Sequence, residues 1–408
     1  MIQSTSPRAF CLALPAPSSQ SHRNDAGAWL DLKFDRSCRL RNMVDGVLDE
    51  AYERILATGP ERDGWLSNHA PMAAEALARH GRGDVVHKWL DGYADRLEPR
   101  PRGVSPIAAQ QWRDPLGDPV RTGDWLDYFE RELALAPWRE VLTRWWPRLL
   151  PGIAAGATHG VIRVGHAVRA LIDAETAPRV AELGHGLAYW AARWQPLAPP
   201  GRGAYPTSDP RTALDAVPRV PDQRYGIRAR LAQLADLPDW PATAGAVPDL
   251  PAASGAEPGS AAGSAPDRLA AIVAAAVARH ATHGYANPVM LVHAATAPNA
   301  VLRALPALPE RLWEPSLAAA WAATAAVTAA YSPAEPRPVP DPAGDTVTCT
   351  DSVHDAEQAA ELFEVAARTT DPHAIKFADT ALDVYAATGD PTTLRRARHC
   401  VHLVATDS

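Results

Sequence analysis

Residues 371–376 read Asp-Pro-His-Ala-Ile-Lys and open an apolar-periodic segment that extends to about residue 388. An acid followed by proline is a typical helix start, in which the acid caps the helix and proline takes the first helical position. His373 and Lys376 are then three residues apart in the first turns, so both side chains project from one face. The segment therefore predicts a helix that presents two potential ligands side by side.

Helical periodicity recurs through most of the chain, whereas strand-type alternation is almost absent. Glycine and proline punctuate the segments, and Asp267 is expected to cap the helix that begins at Arg268. The pattern predicts an all-α fold, a large irregular helical bundle. The predicted helical segments are about 43–55, 70–80, 85–97, three segments between 124 and 195, 268–280, 287–305, 315–331, 352–369, 372–388 and 391–404.

Composition separates one large domain from less regular segments. Residues 1–28, rich in Ser and Pro, predict a flexible leader, and 29–408 predict a single helical domain. Within that domain 241–266 consist mostly of Ala, Gly, Pro and Ser, a composition that cannot bury enough apolar surface to order itself. This segment is expected to be a low-complexity loop or linker, and the proline run at 333–343 a second loop.

The charge balance and the cysteines exclude several classes of function. A net charge of −7 and a pI near 6.1 argue against a surface that tracks phosphates, so nucleic acid is not expected as a partner. No segment approaches the ~20 apolar residues of a membrane span. Four scattered cysteines without a C-x-x-C pair favour a reducing, cytoplasmic location. Nothing matches G-x-G-x-x-G or a Walker loop, so no built-in flavin or nicotinamide site is expected.

Histidines stand among apolar or small residues in four segments, and imidazole is the commonest transition-metal ligand. Histidines on different helices can converge in the interior of a bundle. Each one alone is more simply explained as a hydrogen-bonded core residue. His166, His280 with His283, and His399 with His402 also have ligand-like positions, so they are alternatives. The four segments are 67–72, 157–163, 291–296 and 371–376.

Lysine is rare in this chain, since Lys33, Lys88 and Lys376 stand against a large excess of arginine. A lysine in a bundle interior is costly when charged, and burial lowers its pKa toward the neutral amine. A neutral amine can add carbon dioxide to form a carbamate, an anionic oxygen ligand that arginine cannot provide. The simpler alternative is an exposed Lys376, or one paired with Asp379 three residues later.

Several motifs follow one another in an order that is more specific than any of them alone. They are 68–72 (Asn-His-Ala-Pro-Met), 150–152 (Leu-Pro-Gly), 158–163 (Thr-His-Gly-Val-Ile-Arg), 182–191, 288–298 and 373–376 (His-Ala-Ile-Lys). In this order the chain resembles the questin oxidase family of fungal and bacterial polyketide pathways, over about 40–405 without the low-complexity loop. One departure is Ala295, where a valine-like residue is more usual.

The resemblance implies an iron-dependent oxygenase that cleaves a carbon–carbon bond of an anthraquinone-like aromatic polyketide with dioxygen. It also implies Fe(II) held among the helices by four histidines and a carboxylated lysine. Five protein ligands on an octahedral ion leave one open position. The residues in matching motifs are His69, His159, His293, His373 and Lys376.

Further expectations concern the substrate and the source of electrons. Arg163, one turn after His159, is a candidate to hold a substrate phenolate or carboxylate, and an ion pair with Glu175 or Glu182 is the alternative. Some of the thirteen tryptophans are candidates to wall a cavity for a planar polycycle, whereas most are expected to be ordinary helix-packing residues. The candidates include Trp65, Trp89, Trp125, Trp145, Trp146, Trp190 and Trp194. NADPH is expected to act by reducing the substrate first or through a separate reductase.

Two other functions are compatible with the sequence. One is a Baeyer-Villiger-type monooxygenase that needs NADPH and inserts one oxygen atom into the same class of substrate. The other is a helical binding protein that has kept the fold without the metal. With labelled dioxygen, a dioxygenase would place two labelled atoms in the product and the monooxygenase one. A metal-free binding protein would be recognised by the absence of iron.

Overall fold

The described part of the chain is mainly helical, which confirms the predicted all-α class. A computed structural model of the protein describes residues 46–201, 208–250, 263–339 and 352–407, with the backbone alone for 352–354. The predicted leader at 1–28 lies outside the described residues. The helices are α1 (46–56), α2 (Ala70–Arg79), α3 (Gly83–Ala94), α4 (Thr122–Leu135), α5 (Trp138–Leu149), α6 (His159–Asp173), α7 (Ala177–Ala192), α8 (Pro210–Asp215), α9 (Ile227–Ala232), α10 (Trp240–Gly245), α11 (Ala265–His283), α12 (Pro288–Ala304), α13 (Trp313–Tyr331), α14 (Ser352–Arg368), α15 (Pro372–Thr388) and α16 (Thr392–Asp407).

The predicted loop at 241–266 is helical at both ends. It begins inside α10, which the fully buried Trp240 anchors, and it ends inside α11. Its middle, 251–262, lies outside the described residues. In the second predicted loop 333–339 form neither helix nor strand, and 340–343 again lie outside. No helix in the described ranges is both long enough and apolar enough to cross a membrane.

Side-chain caps set the starts of two helices that the sequence singled out. Asp371 caps α15 as predicted, because its Oδ1 accepts hydrogen bonds from the backbone N–H groups of His373 (2.7 Å) and Ala374 (2.9 Å). The predicted cap of α11 was wrong: Ser264, not Asp267, is the N-cap. Asp267 is the third residue of that helix; its backbone N–H donates to the Ser264 hydroxyl oxygen (3.4 Å), and its Oδ2 accepts from the Ser264 hydroxyl (2.5 Å).

A small antiparallel sheet accompanies the helices, and the sequence did not predict it. Its strands are β1 (Thr58–Arg62), β2 (Leu66–Ser67) and β3 (Leu97–Pro99), in the order β2-β1-β3. Strands of two to five residues are too short for a clear alternation of apolar and polar residues. The sheet continues directly into the site, since Asn68 follows β2 and donates its backbone N–H to the Pro60 carbonyl (2.9 Å).

Four helices, α2, α6, α12 and α15, meet at the centre of the fold. α6 packs against α2 and α12, and α15 packs against the same two helices. Gly165 permits the close approach of α6 to α12, because a Cβ at this position would lie only 2.6 Å from the Cβ of Ala300. Polar residues on the facing sides of these helices are shielded from water and must find partners inside the protein.

Candidate metal centre

Four of the predicted ligands, which we call the histidine cluster, meet between the central helices. His69 directly precedes α2, His159 begins α6, His293 lies in the second turn of α12, and His373 lies in the first turn of α15. All four are buried. The ring centroids are 4.6 Å apart for His69 and His159, 4.6 Å for His69 and His373, and 4.5 Å for His159 and His293.

The Nε2 atoms of three of these rings face one another. His159 Nε2 lies 2.8 Å from His69 Nε2 and 3.1 Å from His293 Nε2. Two neighbouring ligands on an octahedral ion are separated by about 3.0 Å when metal–nitrogen bonds are about 2.1 Å long. The observed separations therefore suit nitrogen atoms that share one metal ion.

The outer nitrogen of each of these rings is held by a hydrogen bond. His159 Nδ1 donates to the Gly156 carbonyl (2.6 Å), and His293 Nδ1 donates to the Met290 carbonyl (3.1 Å). His69 Nδ1 lies 3.2 Å from the Tyr93 hydroxyl. Such outer partners fix the ring orientation and the tautomer of metal-binding histidines.

The contact between His159 and His293 is not explained by a hydrogen bond between the two rings. A carbonyl can only accept a hydrogen bond, so both rings carry their proton on Nδ1, and both Nε2 atoms present lone pairs to each other. Burial is the main factor that holds the pKa of both rings well below the usual range, which favours the neutral imidazoles. The donor set therefore fits a bound metal ion, which would lie between these lone pairs.

Lys376 is fully buried beside the histidine cluster, and its Nζ has no hydrogen-bond partner among the described residues. Burial lowers its pKa to about 7, which makes the neutral amine accessible. Asp379, the partner considered from the sequence, is instead bound by Arg169 and Arg303. An unpartnered buried amine fits conversion to a carbamate, whose oxygens would supply an anionic donor next to the four imidazoles.

Residues 67–182 match the model of the Questin oxidase-like family. The predicted resemblance is confirmed for this part, slightly more than a quarter of the chain, and the family name indicates an oxidoreductase. His69 and His159 lie within the match, whereas His293, His373 and Lys376 lie beyond it. The fold nevertheless brings all five together. No curated protein and no solved structure matches the chain.

A left-handed turn precedes His159, the second proposed ligand in the questin oxidase-like segment. Gly156, Ala157 and Thr158 have φ angles of 52°, 57° and 68°. This conformation is unfavourable for residues with a Cβ, and such strain is common at functional sites. The turn places the Gly156 carbonyl against His159 Nδ1, and the Tyr189 hydroxyl packs so close to Gly156 that a Cβ would lie 2.4 Å from it.

Arg163, the predicted substrate-binding residue, is engaged inside the protein. It forms a bidentate ion pair with Glu182, with Nε–Oε1 and Nη2–Oε2 distances of 2.5 and 2.7 Å, and both side chains are at most 2% exposed. This is one of the two ion pairs that the sequence left open as alternatives. The arrangement supports a structural role for Arg163, joining α6 to α7.

The alternative histidines lie elsewhere. His166 Nδ1 lies 2.7 Å from Glu75 Oε2, in a second group of potential ligands formed with Asp379. His280 bonds the Pro288 carbonyl (2.8 Å), and His283 bonds its neighbour Thr282 (2.8 Å). His399 and His402 lie on α16.

Most of the tryptophans pack in the core instead of lining a cavity. Trp125, Trp145, Trp146 and Trp190 are buried, and Trp125 and Trp145 belong to an edge-to-face aromatic group. Trp89 differs, because it lines a groove next to the histidine cluster.

Proposed function

We propose that the protein is an iron-dependent dioxygenase that cleaves a carbon–carbon bond of an anthraquinone-like aromatic polyketide. The questin oxidase-like match supports the oxidase class, and the resemblance of the motifs supports the metal and the substrate class. The observation that carries the proposal is the contact between the Nε2 atoms of His159 and His293, whose separation suits two ligands of one metal ion. In this proposal His69, His159, His293, His373 and carboxylated Lys376 hold Fe(II).

Bound iron would supply the redox activation that dioxygen needs before it reacts with a closed-shell aromatic molecule. The protein contributes the binding and orientation of the metal. Tyr93 and the Gly156 and Met290 carbonyls hold three of the rings, and burial keeps water away from the donor atoms. The carbamate on Lys376 would add negative charge, which stabilises the oxidised state of a metal ion.

If both atoms of dioxygen enter the product, the substrate supplies all the electrons and the reaction needs no external reductant. NADPH would then be needed only to convert a quinone substrate to the electron-rich hydroquinone beforehand, directly or through a separate reductase. The dioxygenase and the Baeyer-Villiger-type alternative therefore predict different oxygen balances.

Labelled dioxygen tests the reaction type. Purified protein, reconstituted with Fe(II) under anaerobic conditions, is supplied with reduced hydroxyanthraquinones and ¹⁸O₂, and the products are analysed by mass spectrometry. Two labelled atoms in the ring-opened product are expected. One labelled atom with stoichiometric NADPH oxidation identifies the monooxygenase, and absence of both iron binding and turnover identifies a metal-free binding protein.

A separate measurement tests the lysine modification. Protein equilibrated with ¹³C-bicarbonate is expected to show one carbamate resonance by NMR that is absent from the Lys376→Met variant. Methionine has a similar length and keeps the packing, so loss of the signal reports on the amine. A spectrum without a carbamate in the iron-loaded wild type would contradict the carboxylated lysine while leaving the four histidines as ligands.

A further inference from the structure

A groove of about 570 Å³ runs along the surface between α3 and the turn that joins α14 to α15. Its volume lies within the range of about 300–1,000 Å³ that is typical of small-molecule sites. Trp89 and Tyr93, which are only 8% and 4% exposed, line it from α3 as an aromatic wall, and 369–372 line it from the turn.

The groove and the histidine cluster share a wall. The Tyr93 hydroxyl lies 3.2 Å from His69 Nδ1 and also accepts a hydrogen bond from the His69 backbone N–H (3.2 Å). On the other side Pro372 lines the groove, and the next residue is His373. A molecule in the groove would therefore lie one side chain away from two proposed ligands.

Positive charge surrounds this groove, although the chain as a whole carries a net charge of −7. Four of the lining residues are Arg82, Lys88, Arg96 and Arg368, against a single acid, Asp371. That carboxylate is already used as the N-cap of α15. Such a local excess attracts anions.

The cations differ in how fully they are neutralised. Arg82 pairs with Glu364, and Arg96 pairs with Asp63 (3.2 Å) in an exposed bridge. Lys88 is exposed and has no ion pair in the described part of the chain. Lys88 is therefore free to pair with an anionic ligand, and Arg96 can exchange an exposed, weak partner for one.

The aromatic wall is rigid. Trp89 and Tyr93 stack with centroids 4.9 Å apart and an interplanar angle of 19°. Trp89 Nε1 donates to the Thr370 carbonyl (3.0 Å), which fixes the indole across the groove. The Arg62 guanidinium lies 5.8 Å from the centre of the Tyr93 ring and forms an ion pair with Asp63.

We infer that this groove binds a planar aromatic anion, and that it is the docking site for the substrate of the histidine cluster. The ligand class follows from the charge and the aromatic wall, whereas the link to catalysis rests on the proposed function. A hydroxyanthraquinone in its phenolate form has both properties. Lys88 and Arg96 would pair with its negative oxygens, and Trp89 would contact its rings.

The contribution of charge to binding can be separated from that of shape with two probes that share one ring system. They are anthraquinone-2-carboxylate, which is negatively charged, and anthraquinone-2-carboxamide, which is neutral. Binding is measured by calorimetry on the full-length protein, both iron-loaded and metal-depleted. The Lys88→Gln/Arg96→Gln variant is expected to bind the carboxylate about tenfold more weakly, as for the loss of two exposed ion pairs, and the carboxamide almost unchanged. Trp89→Leu is expected to weaken both.

The matched control is Arg139→Gln/Arg228→Gln, which makes the same change in net charge. Both arginines are exposed and neither lines the groove, and Arg139 lies over the Trp138 ring at 4.3 Å. Unchanged carboxylate binding by this control supports the inference. Equal weakening by both double variants, or wild-type affinity in Lys88→Gln/Arg96→Gln, overturns it.

Measurements on metal-depleted protein keep the two proposals apart. If the carboxylate probe binds in a charge-dependent way but the iron-loaded protein shows no turnover, the proposed function is contradicted. The inference that the groove binds an aromatic anion would still stand. Turnover whose KM does not change in Lys88→Gln/Arg96→Gln would contradict the groove as the docking site and leave the oxygenase intact. A raised KM with unchanged kcat is the expected result.

Discussion

Two buried polar layers occupy the same central helices, and they differ in how fully the protein satisfies their polar groups. The first is the histidine cluster. The second, which we call the carboxylate network, lies further along the helices, and its residues are Glu75 on α2, His166 and Arg169 on α6, Arg303 on α12, and Asp379 on α15. Each layer contains at least three residues whose donor atoms are close enough to hold an ion.

The carboxylate network neutralises its own charges. Arg169 binds Glu75 through Nε–Oε1 (2.8 Å) and Nη2–Oε2 (2.5 Å), and it reaches Asp379 Oδ2 at 2.8 Å. Arg303 binds the same Asp379 oxygen at 2.6 Å. Burial alone would raise the pKa of Glu75, but Arg169 and His166 hold it at about 2, so the carboxylate stays charged. Guanidinium groups occupy the positions that a cation would take.

The histidine cluster has no such internal balance. Its rings are neutral, two of their lone pairs oppose each other, and the Lys376 amine has no hydrogen-bond partner among the described residues. Proximity of ligand-type residues therefore does not by itself choose between the two layers. The proposed metal site is the layer in which the protein leaves donor atoms without hydrogen-bond partners.

The sharpest test removes the histidine shared by both Nε2 contacts. His159→Ala is expected to lose iron altogether, a larger effect than the about 10–100-fold that loss of an outer partner costs. The measurement is iron content per folded protein after reconstitution, together with turnover. His166→Gln, in the carboxylate network, is the control and should keep its iron. The opposite pattern would place the metal in the second layer.

Breaking the carboxylate network should affect stability instead of metal binding. Arg169→Met removes a positive charge that pairs with the buried carboxylates of Glu75 and Asp379. The free energy of unfolding is therefore expected to fall by about 3–5 kcal/mol. Arg79→Met removes the exposed bridge to Asp173 and should cost no more than about 1 kcal/mol. Urea unfolding measures both. A similar small loss in the two variants would show that the network contributes little.

A smaller effect is expected from the outer partner of His69. Tyr93→Phe keeps the ring and removes the hydroxyl that holds Nδ1, so iron affinity should fall about 10–100-fold. Competition with a chelator measures the affinity. The buried Tyr128 lies in the aromatic group with Trp125 and Trp145, and Tyr128→Phe should leave the affinity unchanged. Unchanged affinity in Tyr93→Phe would mean that the sheet and helix alone orient His69.

The pH dependence of stability provides the most graded test. In metal-depleted protein burial lowers the pKa of Lys376 to about 7, below its value of about 10.4 in the unfolded chain. Between these values the unfolded state binds the additional proton, so this group makes stability rise with pH, by up to about 1.4 kcal/mol per unit. The difference between wild type and Lys376→Met should show this slope. A flat difference would contradict a neutral buried amine.

Local features of the site could be predicted from the sequence. The Asp371 cap and the spacing of His373 and Lys376 depend only on neighbouring residues, and both are found. His159 and His293 each bond the backbone carbonyl of the residue three positions earlier, which is Gly156 for His159 and Met290 for His293. This local regularity was not predicted from the sequence, although it involves only neighbouring residues.

Contacts between residues that are far apart in the sequence could not be predicted from local patterns. Lys376 and Asp379 have the spacing of a helical ion pair, but arginines from α6 and α12 bind Asp379 more favourably than one lysine could. Tyr93 reaches His69 from a different helix, and nothing near either residue in the sequence signals that contact. Arg163 pairs with Glu182 because α7 packs against α6.

The proposed ligands are distributed along almost the whole described chain, from the residue before α2 to the first turns of α15. An ion held by all of them would close several very long loops at once. Loop closure removes conformational entropy from the unfolded chain, and the effect grows with loop length. The metal would then act as a reversible cross-link between parts of the chain that are far apart in sequence. Its binding energy would contribute directly to folding, and chelation would be expected to speed unfolding.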